Sequence, residues 1–337
     1  MKRLILIALL ALCQPLFSQE VDAALPDSLQ TILDKSSQDQ AKRMEALNDV
    51  IDALHKQHLH KTSIPFINEL DSLSTNLGNK YFHSFSEYYR GSVAFAQNDF
   101  PLALQSFVSS KEEAMTLAGN KSVRTLKAKI QLGLGATHIN LLMLPQAYQN
   151  LQEGLDLNKD LGNTFLQYNL ENNLLVVYRY LNLYKEIIAI SKKIVANPDY
   201  SDYYKFYTYY NIAACYTDLR SYDSANLYLD TAAMCAKTTH DAALVPYYRG
   251  SILLDRKDYR KAIDDFDESL ALLKETQSAD IESNALIFKG KSYSMLDNMD
   301  SALVNVDAAL ELAERNGLLY VMERGLNVKK EILRKTG

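Results

Sequence analysis

From residue 41 to the C-terminus, apolar positions recur at helical spacing rather than in strand-like alternation. Residues 100–117 show the pattern. Phe100, Ala103, Leu104, Phe107, Val108, Ala114 and Leu117 fall on one stripe of a helix, and polar residues occupy the remaining turns. Pro101 suits the first turn of that helix, where a missing N–H costs nothing. Such stripes are separated by short polar turns that resemble one another: "QNDFPLA" (97–103), "RSYDSA" (220–225), "RKDYRKA" (256–262) and "DNMDSA" (297–302). Each runs from the polar turn to a large residue (Phe100, Tyr222, Tyr259 or Met299), with alanine three residues later at Ala103, Ala225, Ala262 and Ala302. "LMLPQA" (142–147) is a weaker copy, with Leu144 and Ala147.

The copies share more than their turns. Twelve residues before the alanine stands Gly91, Gly135, Gly250 or Gly290, or Ala213 in the copy that contains Cys215. Four residues after it comes Phe107, Leu151, Leu229, Phe266 or Val306. Small residues on two antiparallel helices let their backbones approach closely, and the large residues fill the space beside them. A second mark is the glycine stop in "NLGNK" (76–80), "LAGNK" (117–121) and "DLGNT" (160–164), with a looser "ERNGL" at 314–318. Gly78, Gly119, Gly162 and Gly317 are expected to end second helices in the left-handed conformation.

This ladder of glycine, aromatic, alanine and aromatic positions resembles the tetratricopeptide repeat, a helix–turn–helix unit, here lengthened to about 37–44 residues. The match covers roughly residues 41–317. It is clear over 84–163 and 205–317 and weakest over 41–79. It is degenerate over 165–200, where Tyr178 and Tyr184 keep the aromatic positions and Ile187 replaces the alanine. The resemblance implies an all-α fold, a right-handed α-solenoid of about seven antiparallel helix pairs. A lead-in over 19–40, with a short helix near 25–36, would precede the solenoid, and a capping helix over 318–337 would cover the last pair.

Composition agrees with helix: the chain of 337 residues has only 7 prolines and 12 glycines, against 22 tyrosines and no tryptophan. A formal net charge of -5 argues against nucleic acid as a partner. The first eighteen residues read as a signal peptide, with basic Lys2 and Arg3, an apolar run from Leu4 to Leu12, and cleavage expected after Ser18 or Gln19. The "FSQ" ending is similar to signal peptides of Bacteroidota. Lipidation at Cys13 is disfavoured because Leu12 stands where a small residue is required. No later segment has eighteen consecutive apolar residues, so an exported protein without a transmembrane segment is expected, periplasmic or secreted. Cys215 and Cys235, the two cysteines beyond the leader, are expected as buried free thiols.

No phosphate loop, nucleophile elbow or zinc-protease motif is present, and neither catalysis nor a cofactor is expected. His55, His58 and His60 form the single histidine cluster and read more simply as a solvated helix end than as a metal site. The acidic "DDFDE" (264–268) reads as a solvated helix face. The most distinctive stretch is "DYSDYYKFYTYYN" (199–211). The repeat register turns Tyr209 into the helix packing, and it faces Tyr207 and Tyr210 to a concave groove with Phe85, Tyr88, Phe95 and Tyr247. The same register places Lys129, Asn140, Asn169, Asn172 and Arg179 between them as a polar patch able to hold a peptide backbone or a carboxylate. Two functions follow as expectations: a non-enzymatic scaffold that binds a protein or peptide partner, and a sensory or regulatory module whose output lies elsewhere. Carbohydrate capture is a third and weaker one.

Overall fold

The computed structural model describes residues 25–36, 39–57, 59–276 and 278–336. Among them are sixteen α-helices and no strand, in two compact units that meet in sequence between Val177 and Tyr178. The first unit opens with α1 (Asp27–Lys35) against α2 (Gln40–Lys56), which pairs with α3 (His60–Asn76). Two further pairs follow, α4 (Lys80–Ala96) with α5 (Phe100–Met115) and α6 (Lys121–Asn140) with α7 (Leu144–Lys159), and then α8 (Thr164–Tyr180). First helices touch one another along the unit, α2 with α4 and α4 with α6.

The second unit starts with α9 (Tyr184–Ala196), packed on α10 (Asp202–Asp218). Its pairs are α10 with α11 (Tyr222–Cys235), α12 (Thr239–Asp255) with α13 (Tyr259–Leu273), and α14 (Ala279–Met295) with α15 (Met299–Arg315). The last helix, α16 (Leu319–Thr336), lies on α14 and α15 and closes the end of the stack. In both units, then, helices recur in pairs, as in an α-solenoid.

The glycine-to-alanine spacing is the close approach within each pair. A Cβ on Gly91 would stand 2.7 Å from the Phe107 ring, and Ala103 beside it is wholly buried. At Gly290 the approach reaches the backbone, because a Cβ there would lie 2.8 Å from the carbonyl oxygen of Ala302. Caps define the helix starts. Asp39, Asn79, Asp99 and Asn120 each accept a bond from a first-turn N–H, and Thr238 with Asp241 forms a capping box.

The turns divide into two kinds. Gly78, Gly162 and Gly317 end second helices at positive φ, as the glycine stops predict. Around Gly78 the N–H of Asn79 bonds Ser74 O at 2.8 Å and that of Gly78 bonds Thr75 O at 3.1 Å, the paired bonds of a Schellman motif. Gly119 departs from the prediction. It is not at positive φ, and "LAGNK" leaves α5 through a longer connection in which Asn120 caps the next helix. The turns inside the pairs use no glycine: Asn98, Leu142, Arg220, Lys257 and Asp297 hold positive φ, as does Asn182 in the connection from α8 to α9. In each case the next residue is the N-cap of the following helix, which begins one residue later.

Two outcomes follow from this geometry. Leu142 takes φ 58° with a bulky side chain, a conformation that costs an L-residue about 1–2 kcal/mol. Leu142→Gly is expected to raise the unfolding free energy by about 1 kcal/mol once the added chain entropy of glycine is subtracted. Gly290→Val is expected to lower it by about 2 kcal/mol or more through overpacking against Ala302 and Val306. Urea unfolding followed by circular dichroism checks both.

Candidate functional site

The first-helix side of the N-terminal unit carries a layered arrangement of side chains. On α4, Phe85 is buried and packs edge-on against Tyr81 at 5.1 Å and Tyr88 at 6.4 Å. Lys129 reaches over from α6 and holds its ammonium 6.0 Å from the Phe85 and Tyr88 ring centres. The same ammonium pairs with Asp52 of α2 at 2.8 Å, and Asp52 also meets Lys56 at 2.7 Å. The ion pair thus spans α4, linking the helices on either side of it. Burial opposes the charge of Lys129, yet Tyr88 and Asp52 hold its pKa above the ordinary value. Burial also opposes ionisation of Asp52, and Lys129 and Lys56 outweigh it, so its carboxyl stays below the usual range.

Beside this bridge opens a cavity of about 480 Å³. Its walls are Glu45, Asn48 and Asp49 of α2, Tyr81 and Phe82 of α4, Ser122 and Val123 of α6, and Leu117, Ala118 and Asn120 of the preceding connection. Asn48 accepts a bond from the buried Tyr89 hydroxyl at 3.2 Å. Asn120 is engaged in capping α6. Its aromatic edges, amides and carboxylates suit an organic ligand with polar ends.

Of the predicted groove residues, the structure brings Phe85, Tyr88 and Lys129 together and separates the rest. Phe95 is turned to the hairpin end, where it packs on Phe100 at 5.6 Å. Asn140 and Asn169 donate to their own helices, to Ala136 O and Phe165 O, and Asn172 is half-buried on α8. In the second unit Tyr207 is half-buried against Tyr203 and Phe206.

Four of the expected groove residues do not face solvent. Phe85 is buried, as described, between Tyr81 and Tyr89. Tyr210 is buried because its ring stacks on Tyr248 of α12 at 3.5 Å, locking neighbouring first helices together. Tyr247 is buried between Phe266 and Phe288. Arg179 is buried and bonds Asp218 at 2.7 Å. Long side chains at these positions fill the space between adjacent first helices instead of lining an open surface.

Other expectations are also revised. Asp265 of the acidic run is buried and takes Arg249 at 2.7 Å, so that stretch is not uniformly solvated. Cys215 is buried, with its thiol pushed up to about 12 by burial, whereas Cys235 is half-exposed; both are free. His58 lies outside the described residues. His55 is half-buried rather than fully solvated: its ring packs edge-on against His60 at 4.6 Å and Tyr89 at 5.1 Å, and Nε2 meets Ser63 Oγ at 2.9 Å. Asp71, His83 and Glu87 place potential metal-ligating atoms within 4.8 Å of one another. Arg90 already bonds both carboxylates at 2.7 Å, so a guanidinium supplies the positive charge there.

The residues of α2 escaped sequence reading because residues 41–79 match the repeat least and so lack a register. The signal available was the acidic spacing Glu45, Asp49 and Asp52, at i, i+4 and i+7 on one face.

No protein-family model matches the chain, and no curated protein matches it. Solved structures do. The apo form of the quorum sensor NprR from B. thuringiensis is similar over 89% of this chain and 81% of its own, at 14% identity and a TM-score of 0.62. NprR in complex with its cognate peptide NprX is similar over 89% and 83%, at 14% identity and 0.58. The Rap conjugation gene regulator of plasmid pLS20, in complex with the Phr* peptide, is similar over 95% and 82%, at 14% identity and 0.54.

Burial presses the His55 imidazole down to about 3, with His60 adding to the effect. A histidine depressed in the fold is protonated first in the unfolded chain. Stability is therefore intact above about pH 6.5 and declines as pH falls toward the folded value. Between about pH 7.5 and 5, His55→Phe is expected to retain about 2 kcal/mol of unfolding free energy that the wild type loses, by urea unfolding at both pH values. These comparisons and the helix pairing give the chain a tetratricopeptide-like helical-repeat fold.

Proposed function

We propose that the chain is an exported, non-catalytic scaffold that holds an extended peptide or protein segment against the first helices of its N-terminal unit. The observation that carries this reading is the cavity walled by α2, α4 and the start of α6. A ligand seated there touches successive first helices at once, with aromatic faces for its side chains and amides for its backbone. Support for the ligand class comes from the similarly folded NprR and Rap structures, which are complexes with the NprX and Phr* peptides.

Export rests on the leader over residues 1–18. No helix among the described residues is long and apolar enough to cross a membrane. The domain organisation proposed with it keeps a lead-in over 19–40, a solenoid over 41–317 and a capping helix over 318–337.

A second reading has one observation in its favour. The similar structures are a quorum sensor and a conjugation gene regulator, so the bound peptide would be a signal and the chain a sensory module whose output lies elsewhere. Both readings require the same binding event.

An array of short random peptides, probed with the full chain, tests that event. The wild type is expected to retain a defined subset. Ala118→Trp, which fills the cavity from an exposed connection, is expected to weaken retention at least about tenfold without shifting the urea midpoint. Failure of the wild type to retain any peptide, or unchanged retention by Ala118→Trp, would overturn the proposal.

A further inference from the structure

The charge of this cavity is one-sided. Glu45 and Asp49 enter it from α2, and no lysine, arginine or histidine is among its lining residues. They sit four residues apart on one helix face, where like charges repel rather than stabilise. Neighbouring acids are spoken for. Asp52 meets Lys129 and Lys56, Glu69 meets Arg43, and Asp71 and Glu87 meet Arg90. Glu45 and Asp49 make no ion pair or hydrogen bond among the described residues. Lys129, whose charge is felt at Tyr81, is committed to Asp52. Both acids are exposed, and the rings of Tyr81 and Phe82, 5.2 Å apart and mutually edge-on, line the same cavity.

Two unpaired carboxylates and two aromatic rings lining one cavity suit an organic cation. The carboxylates supply charge-assisted bonds in a planar fork, and the rings supply faces and edges for the alkyl stem and the delocalised charge. A cavity of about 480 Å³ has room for a complete side chain together with backbone at its mouth.

We infer that this cavity is a specificity pocket for a basic side chain, arginine above lysine, of the bound peptide. The inference rests on the peptide-binding reading and names the chemistry of its partner. Glu45 and Asp49 grip the guanidinium, Tyr81 and Phe82 flank it, and Asn48 and Asn120 stand at the rim for the ligand backbone.

The test uses the full chain with 15N-labelled tyrosine and valine, titrated with acetyl-Gly-Arg-Gly-amide. The neutral control is the same peptide carrying citrulline, which keeps the shape of arginine without its charge. The arginine peptide is expected to shift the Tyr81 and Val123 amides saturably, with the citrulline peptide at least about tenfold weaker. The double variant Glu45→Gln/Asp49→Asn, on the outer face of α2, is expected to lose at least about fivefold in affinity while its urea midpoint is unchanged. Equal binding of both peptides, unchanged affinity in the double variant, or no saturable shift up to about 20 mM overturns the inference.

These outcomes are separable from those of the broader proposal. A peptide array that retains sequences without basic enrichment sinks the specificity pocket and leaves peptide binding standing. An array that retains nothing, beside an arginine titration without a saturable shift, sinks both.

Discussion

The rest of the structure depends on how closely the two helices of a pair approach. Where Gly91 faces Phe107, or Gly290 faces Ala302, there is no room for a Cβ, and the paired backbones meet through a large side chain laid across the gap. That contact sets the register of each pair, because a shift by one residue would drive a side chain into its neighbour. Once the pair is in register, its first helix has one stripe for its partner, one for the adjacent first helix and a remainder that reaches solvent. The tyrosines then sort accordingly. Tyr209 and Tyr216 pack on Tyr228 of the partner helix, while Tyr210 stacks on Tyr248 of the next first helix. In a chain without tryptophan, tyrosine spans these gaps.

The charges follow the same geometry with a different outcome. Arg179 with Asp218, Arg249 with Asp265 and Lys129 with Asp52 are drawn partly or wholly out of water and neutralised in place. Pairs of this kind add little net stability over an apolar substitute, but loss of one member strands a buried charge. They therefore hold positions more than they add strength. Lys129 does so across the rings of Phe85 and Tyr88, bracing α2 against α6 over the top of α4. At the cavity beside that brace, aromatic edges, amides and unengaged carboxylates converge on open space. Its recognition chemistry follows from the packing decisions made around it.

Much of this was legible in the residues alone. Helical periodicity, the glycine-to-alanine spacing, the stop glycines at Gly78, Gly162 and Gly317, and the first-turn position of Pro101 all depend on contacts within a turn or between partners a dozen residues apart. Such contacts leave a periodic trace in the sequence. The turns inside the pairs left their polar pattern but not their backbone conformation, because Leu142, Arg220 and Lys257 are held in left-handed backbone by the packing of the helices they join rather than by their own preference.

The candidate site divides along the same line. Sequence alone determined that the chain is a helical repeat, which residues face their partner helix, and that a tyrosine-rich first-helix face exists. Only the tertiary structure decided which side chains on that face remain available. Phe85, Tyr210, Tyr247 and Arg179 were drawn between helices, and Glu45, Asp49 and Tyr81 were left at a cavity. The physical reason is one of distance along the chain. Contacts between first helices join residues about forty positions apart, and whether a long side chain fills that gap or stands clear of it is set by the crossing of two helices, which no local spacing records.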